Sequence, residues 1–330
     1  MLTARRHALL LARSALGLAG WAALSPLAAP ALAQAWPSQP IRIVVPYAPG
    51  GTTDLVARLV AGPLGERLGQ PVIVENRPGA GATLGSLQVA QAAPDGHMLV
   101  LSSIASHGIA PALYPNMRYD AVADFSHVAL LTQNPSVIVA YPRAGLAGMA
   151  EVARRHAAAP LDMASSGAGS SNHLLIVQLG QALGRPFNHI PFRGAGPAMV
   201  AVIAGQVPLM ADSLPSAAGH IRNGSVLPVA MCGAARHPGF PEVPTLREQG
   251  IDLTSISWFG LSGPARLPQP VIDRLSNEIR AILGETRIRA RFDEFGGTPG
   301  TLSPAEFTAF VAAEVAHWAP VVRRSGAQPD

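Results

Sequence analysis

Short apolar runs alternate with helix-periodic stretches along most of this chain. Runs rich in Val, Ile and Leu at 41–45, 71–75, 97–102, 127–132, 136–140, 161–165, 187–191, 207–211, 226–231 and 255–261 read as strands. Between them, 54–68, 84–92, 146–158, 171–183 and 195–204 carry helical spacing. That alternation predicts an α/β fold with largely parallel sheets. Beyond residue 268 the pattern turns helical, with predicted helices at 269–283, 285–295 and 303–323. The last opens on the capping box Ser303-Pro304-Ala305-Glu306.

The runs within Phe125–Ala140 are separated only by Thr132–Pro135, too short for a crossover helix. Such a pair suits a chain that leaves one sheet and enters another. Pro241–Gly250 offers the return path, followed by the run at 255–261. The expected layout is one lobe from 36–134 plus 254–330, and a second from 135–253.

Three junctions share one design, in which a strand stops at a Gly-rich turn and feeds a helix. In the first, Ile41–Asp54 (IRIVVPYAPGGTTD), Gly50 and Gly51 let the backbone approach a ligand, and Thr52 adds a hydroxyl near the helix start. The first amides of such a helix lack partners and sit at the positive end of its dipole, a ready anion site. Tyr47 and Ala48 belong to the same loop. Asp54 either caps the helix and offsets its dipole or faces a ligand's ammonium group.

The second junction, Ser165–His173 (SSGAGSSNH), offers Gly167 and Gly169, with Ser170, Ser171 or Asn172 to present a hydroxyl and the helix-start amides. His173, three residues into an apolar helix, is either a structural hydrogen-bonding histidine or a ligand contact. In the third, Phe192–Pro197 (FRGAGP), Arg193 is a candidate partner for a carboxylate and Gly194 forms part of the turn. Asp212 ends the run VPLMAD at the expected cleft mouth, where it would take an ammonium group or pair with Arg193. The segment Ser102–His107 forms a fourth wall, with Ser103 and Ser106 as donors.

Composition narrows the chemistry. All 24 Lys+Arg residues are arginine, which excludes a Schiff-base lysine, a pyridoxal phosphate anchor and a Walker A lysine. One cysteine, Cys232, excludes an internal disulfide and a Cys-rich metal site. The histidines at 97, 107 and 127 lack the spacing of ligands on one helix face, and Gly79–Gly85 (GAGATLG) does not match a dinucleotide fingerprint. No cofactor, metal or nucleic acid is expected.

Arg5, Arg6 and Arg13, the apolar Ser14–Leu24 and the Ala31-Leu32-Ala33 site read as a cleavable export signal over 1–33. The Arg5-Arg6 pair fits twin-arginine export in part. Removing those three arginines lowers the net charge from +4 to +1, so the basic balance says nothing of nucleic acid.

In order along the chain stand PYAPGGTTD (46–54), GQPVIVENRPGAG (69–81), APDGHMLVLSS (93–103), LYPNMRYDAVADF (113–125), ASSGAGSSNHL (164–174), HIPFRGAGPA (189–198), GQVPLMAD (205–212), FPEVPTLREQG (240–250) and SWFGLSGPARLP (257–268). This ordered set resembles the substrate-binding proteins of tripartite tricarboxylate transporters, the Bug-type periplasmic receptors. The resemblance implies a two-lobe periplasmic-binding-protein-like fold of type II, with two crossovers and a ligand cleft between the lobes. It also implies a small carboxylate ligand and, as partners, the transporter's membrane subunits, although such receptors also occur as orphans. The receptor would be a periplasmic monomer. Its ligand loop G-x-G-S-x-x-H maps onto Gly167, Gly169, Ser170 and His173. Tyr47, His97, Arg193 and Pro208 depart from the residues common in the family. The rival expectation is a secreted hydrolase using Ser170, His189 or His173, and Asp212, but the chain has no G-x-S-x-G elbow.

Overall fold

The computed structural model describes residues 36–328; the predicted export signal lies outside the described residues. The first junction forms as expected. The run IRIVV becomes strand β1 (Ile41–Val45), and Thr52–Leu68 winds into helix α1. The chain continues through β2 (Val72–Asn76), α2 (Thr83–Ala90), β3 (Met98–Ser103) and the short α3 (Ala110–Leu113). Strand β4 (Phe125–Ala140) leads into α4 (Met149–Ala158), β5 (Asp162–Ser165), α5 (Ser171–Ala182), β6 (Asn188–Pro191) and α6 (Ala195–Ile203). Then follow β7 (Leu209–Ser213), α7 (Leu214–Arg222), β8 (Leu227–Met231), β9 (Ile256–Pro264), α8 (Gln269–Gly284), α9 (Thr286–Phe295), β10 (Thr298–Pro299) and α10 (Pro304–Ser325). Among the described residues no helix is long and apolar enough to cross a membrane.

The strand order is β2-β1-β3-β9-β4-β7-β5-β6, with β8 and β10 also paired to β4. Two parallel trios, β2-β1-β3 and β6-β5-β7, repeat one local order at opposite ends. Between them, β9 and β4 run antiparallel. Largely parallel pairing therefore holds in each wing, and the centre departs from it.

The predicted strands at 127–132 and 136–140 are one strand of 16 residues. Its Phe125–Pro135 part pairs with β9, and Ser136–Ala140 pairs with β7 and β8. Pro135 is tolerated because the strand changes neighbours there, where a missing donor costs least. Strand β7 begins just after Pro208, whose carbonyl accepts from the Tyr141 amide at 3.0 Å.

Besides the short α3 and β10, sequence pattern missed helix α7 and the turn that follows β3. Helix α7 (LPSAAGHIR) hides behind Pro215, which occupies its first turn, where a missing N–H is no loss. Ser102–His107, expected as a loop, instead ends β3 and winds into a π-helical turn over Ile104–Ile109, closed by a Ser103–Ser106 capping box. The capping box of α10 forms as predicted, with Ser303 N donating to Glu306 at 2.8 Å.

Separate apolar clusters support the two wings. Ile138, Met163, Leu179, Leu209 and Cys232 pack in one, and Trp258, Phe307, Val311 and Leu130 in another. Cys232 is buried, as its apolar setting predicts.

Candidate functional site

The first loop is fixed by Asp54. Its carboxylate accepts from the Gly50 amide at 3.1 Å, from Arg58 Nε at 3.1 Å and from Asn76 Nδ2 at 3.0 Å. Asn76 Nδ2 also reaches the Tyr47 carbonyl at 3.0 Å. Burial alone would raise the Asp54 carboxyl, but the bonds from Arg58, Asn76 and Gly50 outweigh it and hold it below its ordinary value. Asp54 thus ties the loop down from behind. The first intrahelical bond of α1 runs from Leu55 N to Gly51 O at 3.0 Å, leaving the Thr52 and Thr53 amides ahead of the ladder.

At the second junction Ser170 caps α5, its Oγ accepting from His173 N at 3.1 Å and donating to Gly167 O at 2.7 Å. The amides of Ser171 and Asn172 precede that helix's ladder. Behind the loop, His173 Nδ1 accepts from Gly169 N at 3.1 Å, and its ring stacks on His189 at 3.9 Å and 7°. His189 Nε2 lies 2.7 Å from Ser165 Oγ. Burial, with His173 adding to it, lowers the His189 imidazole to about 4.

The first and third junctions meet. Ala48 N donates to Arg193 O at 3.0 Å, and a Cβ at Gly196 would collide with the Pro49 carbonyl. The start of α7 joins them, where Thr52 Oγ1 donates to Ser216 Oγ at 3.1 Å and accepts from Ser216 N at 3.2 Å. Ser216 Oγ in turn donates to Asp212 Oδ2 at 2.6 Å, and Ser213 N donates to Asp212 Oδ1 at 2.8 Å.

These contacts enclose a cavity of about 30 Å³ of free space. The first junction contributes Tyr47, Gly51, Thr52 and Thr53; the second, Ser166, Ser170, Ser171 and Asn172. Ser103, Ile104 and Ala105 line it from the end of β3, Ala195 from α6, Asp212 and Ser213 from β7, and Phe259 from β9. None of these residues is Arg or His. The N-termini of α1, α5 and α6 supply the positive potential, and no formal cation does. Burial pushes the Tyr47 phenol up, with a Ser103 hydrogen bond opposing it.

Of the sequence candidates, Tyr47, Gly51, Thr52, Ser103, Ser170 and Asp212 line the cavity. Ala48, Gly50, Asp54, Ser106, Gly169, His173 and Gly194 stand behind its walls; Ser106 is turned toward His107 Nδ1 at 2.8 Å. Arg193 and Gly167 line a neighbouring pocket of about 370 Å³, which shares Tyr47 and Ser166 with the small cavity. The expected Arg193–Asp212 ion pair is not formed. Arg193 is exposed, and Asp212 is held by Ser213 and Ser216. Sequence reading missed Ser166 and Ser213; Ser171 and Asn172, named with Ser170 as sources of the helix-start amides, both line the cavity.

The hydrolase triad is not assembled. Ser170 is spent on capping, His173 on Gly169 and Asp212 on Ser216, so no serine, histidine and aspartate from that set form a chain. Among the described residues, no group of three or more His, Cys, Asp or Glu is placed to hold a metal.

A family model described as tripartite tricarboxylate transporter family receptor matches residues 56–327. Protein BugT of Bordetella pertussis is 34% identical over 306 residues, covering 92% of this chain and 94% of that protein. The structure of MatC from Rhodopseudomonas palustris, with bound malate, is similar at TM-score 0.83 and 34% identity, covering 87% of this chain and 99% of that one. Another R. palustris protein, with adipate, gives TM-score 0.85 at 28% identity, covering 89% and 99%. These are substrate-binding proteins rather than enzymes, and the fold is the two-lobe one of periplasmic binding proteins. The chain belongs to the tripartite tricarboxylate transporter receptor family.

Proposed function

We propose that this protein is an exported receptor that captures a small organic carboxylate in the cavity between α1, α5 and α6. The observation that carries the reading is a buried, Arg-free cavity on which three helix N-termini converge. Amides of Thr52, Thr53, Ser171, Asn172 and Ala195 and the hydroxyl of Ser103 would hold the carboxylate. The malate and adipate bound by similar proteins have the same chemistry. The rest of the ligand runs past Tyr47 and Ser166 into the 370 Å³ pocket, where Arg193 meets its far end.

The lobes divide at 36–134 plus 254–330 against 135–253. The exchange of β4 partners at Pro135/Ser136 and the return at β9 support that division. The contacts of Ala48 with Arg193 and of Thr52 with Ser216 then bridge the lobes, so that binding closes them and opening releases the ligand. Export by the predicted signal places the receptor in the periplasm. The closed monomer delivers to the membrane subunits of a tripartite transporter.

Thermal unfolding of the mature protein against dicarboxylates, tricarboxylates, acidic amino acids and aromatic acids tests the reading. A ligand at ~100 times its Kd adds about 2.7 kcal/mol, a shift of several degrees. One chemical class raising the midpoint, without being consumed, is the expected result. A panel with no shift contradicts it.

A further inference from the structure

The small cavity holds acceptors that a plain carboxylate does not satisfy. Asp212 is 1% exposed, and among the described residues its two oxygens receive only the Ser213 amide and the Ser216 hydroxyl. Asn172 is 3% exposed; its Nδ2 donates to Ser166 Oγ at 3.3 Å, and its side-chain oxygen has no partner among the described residues. An ionised carboxylate only accepts hydrogen bonds. Placed alone against the helix amides, it would leave the Asn172 oxygen unpaired and force Asp212 either to face it as a second carboxylate or to take up a proton, each a cost in a buried site. Asp212 and Asn172 line the same small cavity as Thr52, Thr53 and Ser171, so whatever serves those acceptors lies close to the bound carboxyl.

We infer that the ligand is a 2-hydroxy or 2-amino carboxylate whose hydroxyl or ammonium group donates to Asp212 and to the side-chain oxygen of Asn172. The inference rests on the carboxylate reading above and narrows it. Thr52 and Ser216 fit the same arrangement. The Thr52 hydroxyl donates to Ser216, and Ser216 donates to Asp212, so neither hydroxyl proton is free to satisfy a second acceptor. Burial pushes the Asp212 carboxyl up to about 7, with the Ser216 and Ser213 bonds opposing. Without a donor from the ligand, a full charge there is poorly supported near neutral pH.

The test is calorimetric titration of the mature protein with matched series of equal chain length: succinate, malate and aspartate; glutarate, 2-hydroxyglutarate and glutamate; propionate, lactate and alanine. The expected result is about tenfold or greater preference for the hydroxy or amino member over the unsubstituted acid in the series that binds. In Asp212→Asn, checked for folding by circular dichroism, the preference for the amino member should fall several-fold. An unsubstituted acid that binds as tightly as its hydroxy and amino partners overturns the inference while the carboxylate reading stands. A preference unchanged in Asp212→Asn removes Asp212 from the role and overturns it too. Failure of every series contradicts the carboxylate reading itself, and this inference falls with it.

Discussion

The first and second junctions reach the same result by different chemistry. Both end a strand at glycines and present the amides of a helix start. The first is fastened by charge, through the Asp54–Arg58 pair and the bonds of Asp54 to Gly50 and Asn76, and Gly51 gives α1 no side-chain cap. The second is fastened by neutral groups: the Ser170 cap, the Gly169–His173 bond and the stacked His173–His189 pair against Ser165. A loop can therefore be preorganised for an anion by a buried carboxylate, provided that carboxylate is saturated with donors and faces away. The second does the same through a hydroxyl cap and two stacked rings, with burial lowering the His189 imidazole.

The largest effect should come from blocking the first junction's approach to the third. Gly50 has φ +90°, a region disfavoured for side chains, and its Cβ would stand 3.5 Å from Gly196 Cα. Gly50→Val should weaken ligand binding by about a hundredfold or more while leaving the circular dichroism spectrum unchanged. Binding as tight as wild type would remove the loop from the carboxylate cradle.

An intermediate effect is expected at the charged fastening. Asp54→Asn loses the ion pair but keeps one acceptor, and Arg58 is half exposed and can return to water. The loss should be about 1–2 kcal/mol, a few degrees in Tm, with a smaller fall in affinity than Gly50→Val causes. An unchanged Tm would mean the loop is fixed by something other than Asp54.

The smallest effect separates the two fastenings by pH. The His189 imidazole is lowered from an ordinary 6.5 to about 4. Its unfolded form therefore takes up protons first, so the stability it contributes is full above 6.5 and is lost as pH falls through 4. The ring is only partly buried, which discounts the contribution to about 1 kcal/mol. His189→Gln should flatten the decline in Tm between pH 6.5 and 4 by that amount, and Asp54→Asn should leave that interval nearly as it was. Equal changes in both variants would erase the distinction.

Much of this was legible in sequence because a strand, a glycine turn and a helix start are local. PYAPGGTTD and SSGAGSSNH locate both helix N-termini and hence the proposed anion site. What failed was long-range. Asp212 was placed at the cleft, but nothing local tells that Ser216, on a helix masked by Pro215, would be its partner. Arg193 looked like the nearest cation, yet loop geometry carries it to the outer pocket. Phe259 enters from β9, 207 positions beyond Thr52, and only the tertiary fold brings them together. For His173 the sequence leaves two readings, structural histidine and ligand contact; its bond from Gly169 and its stacking on His189 favour the first.

Under the proposed function, backbone amides rather than a cation hold the carboxylate. A crystal structure with the tightest ligand of the panel tests it most directly. Carboxylate oxygens should lie about 2.7–3.1 Å from amides of Thr52 or Thr53 and of Ser171 or Asn172, with no arginine at that carboxyl. A carboxylate bound instead to Arg193 in the outer pocket, with the small cavity unfilled, would contradict it.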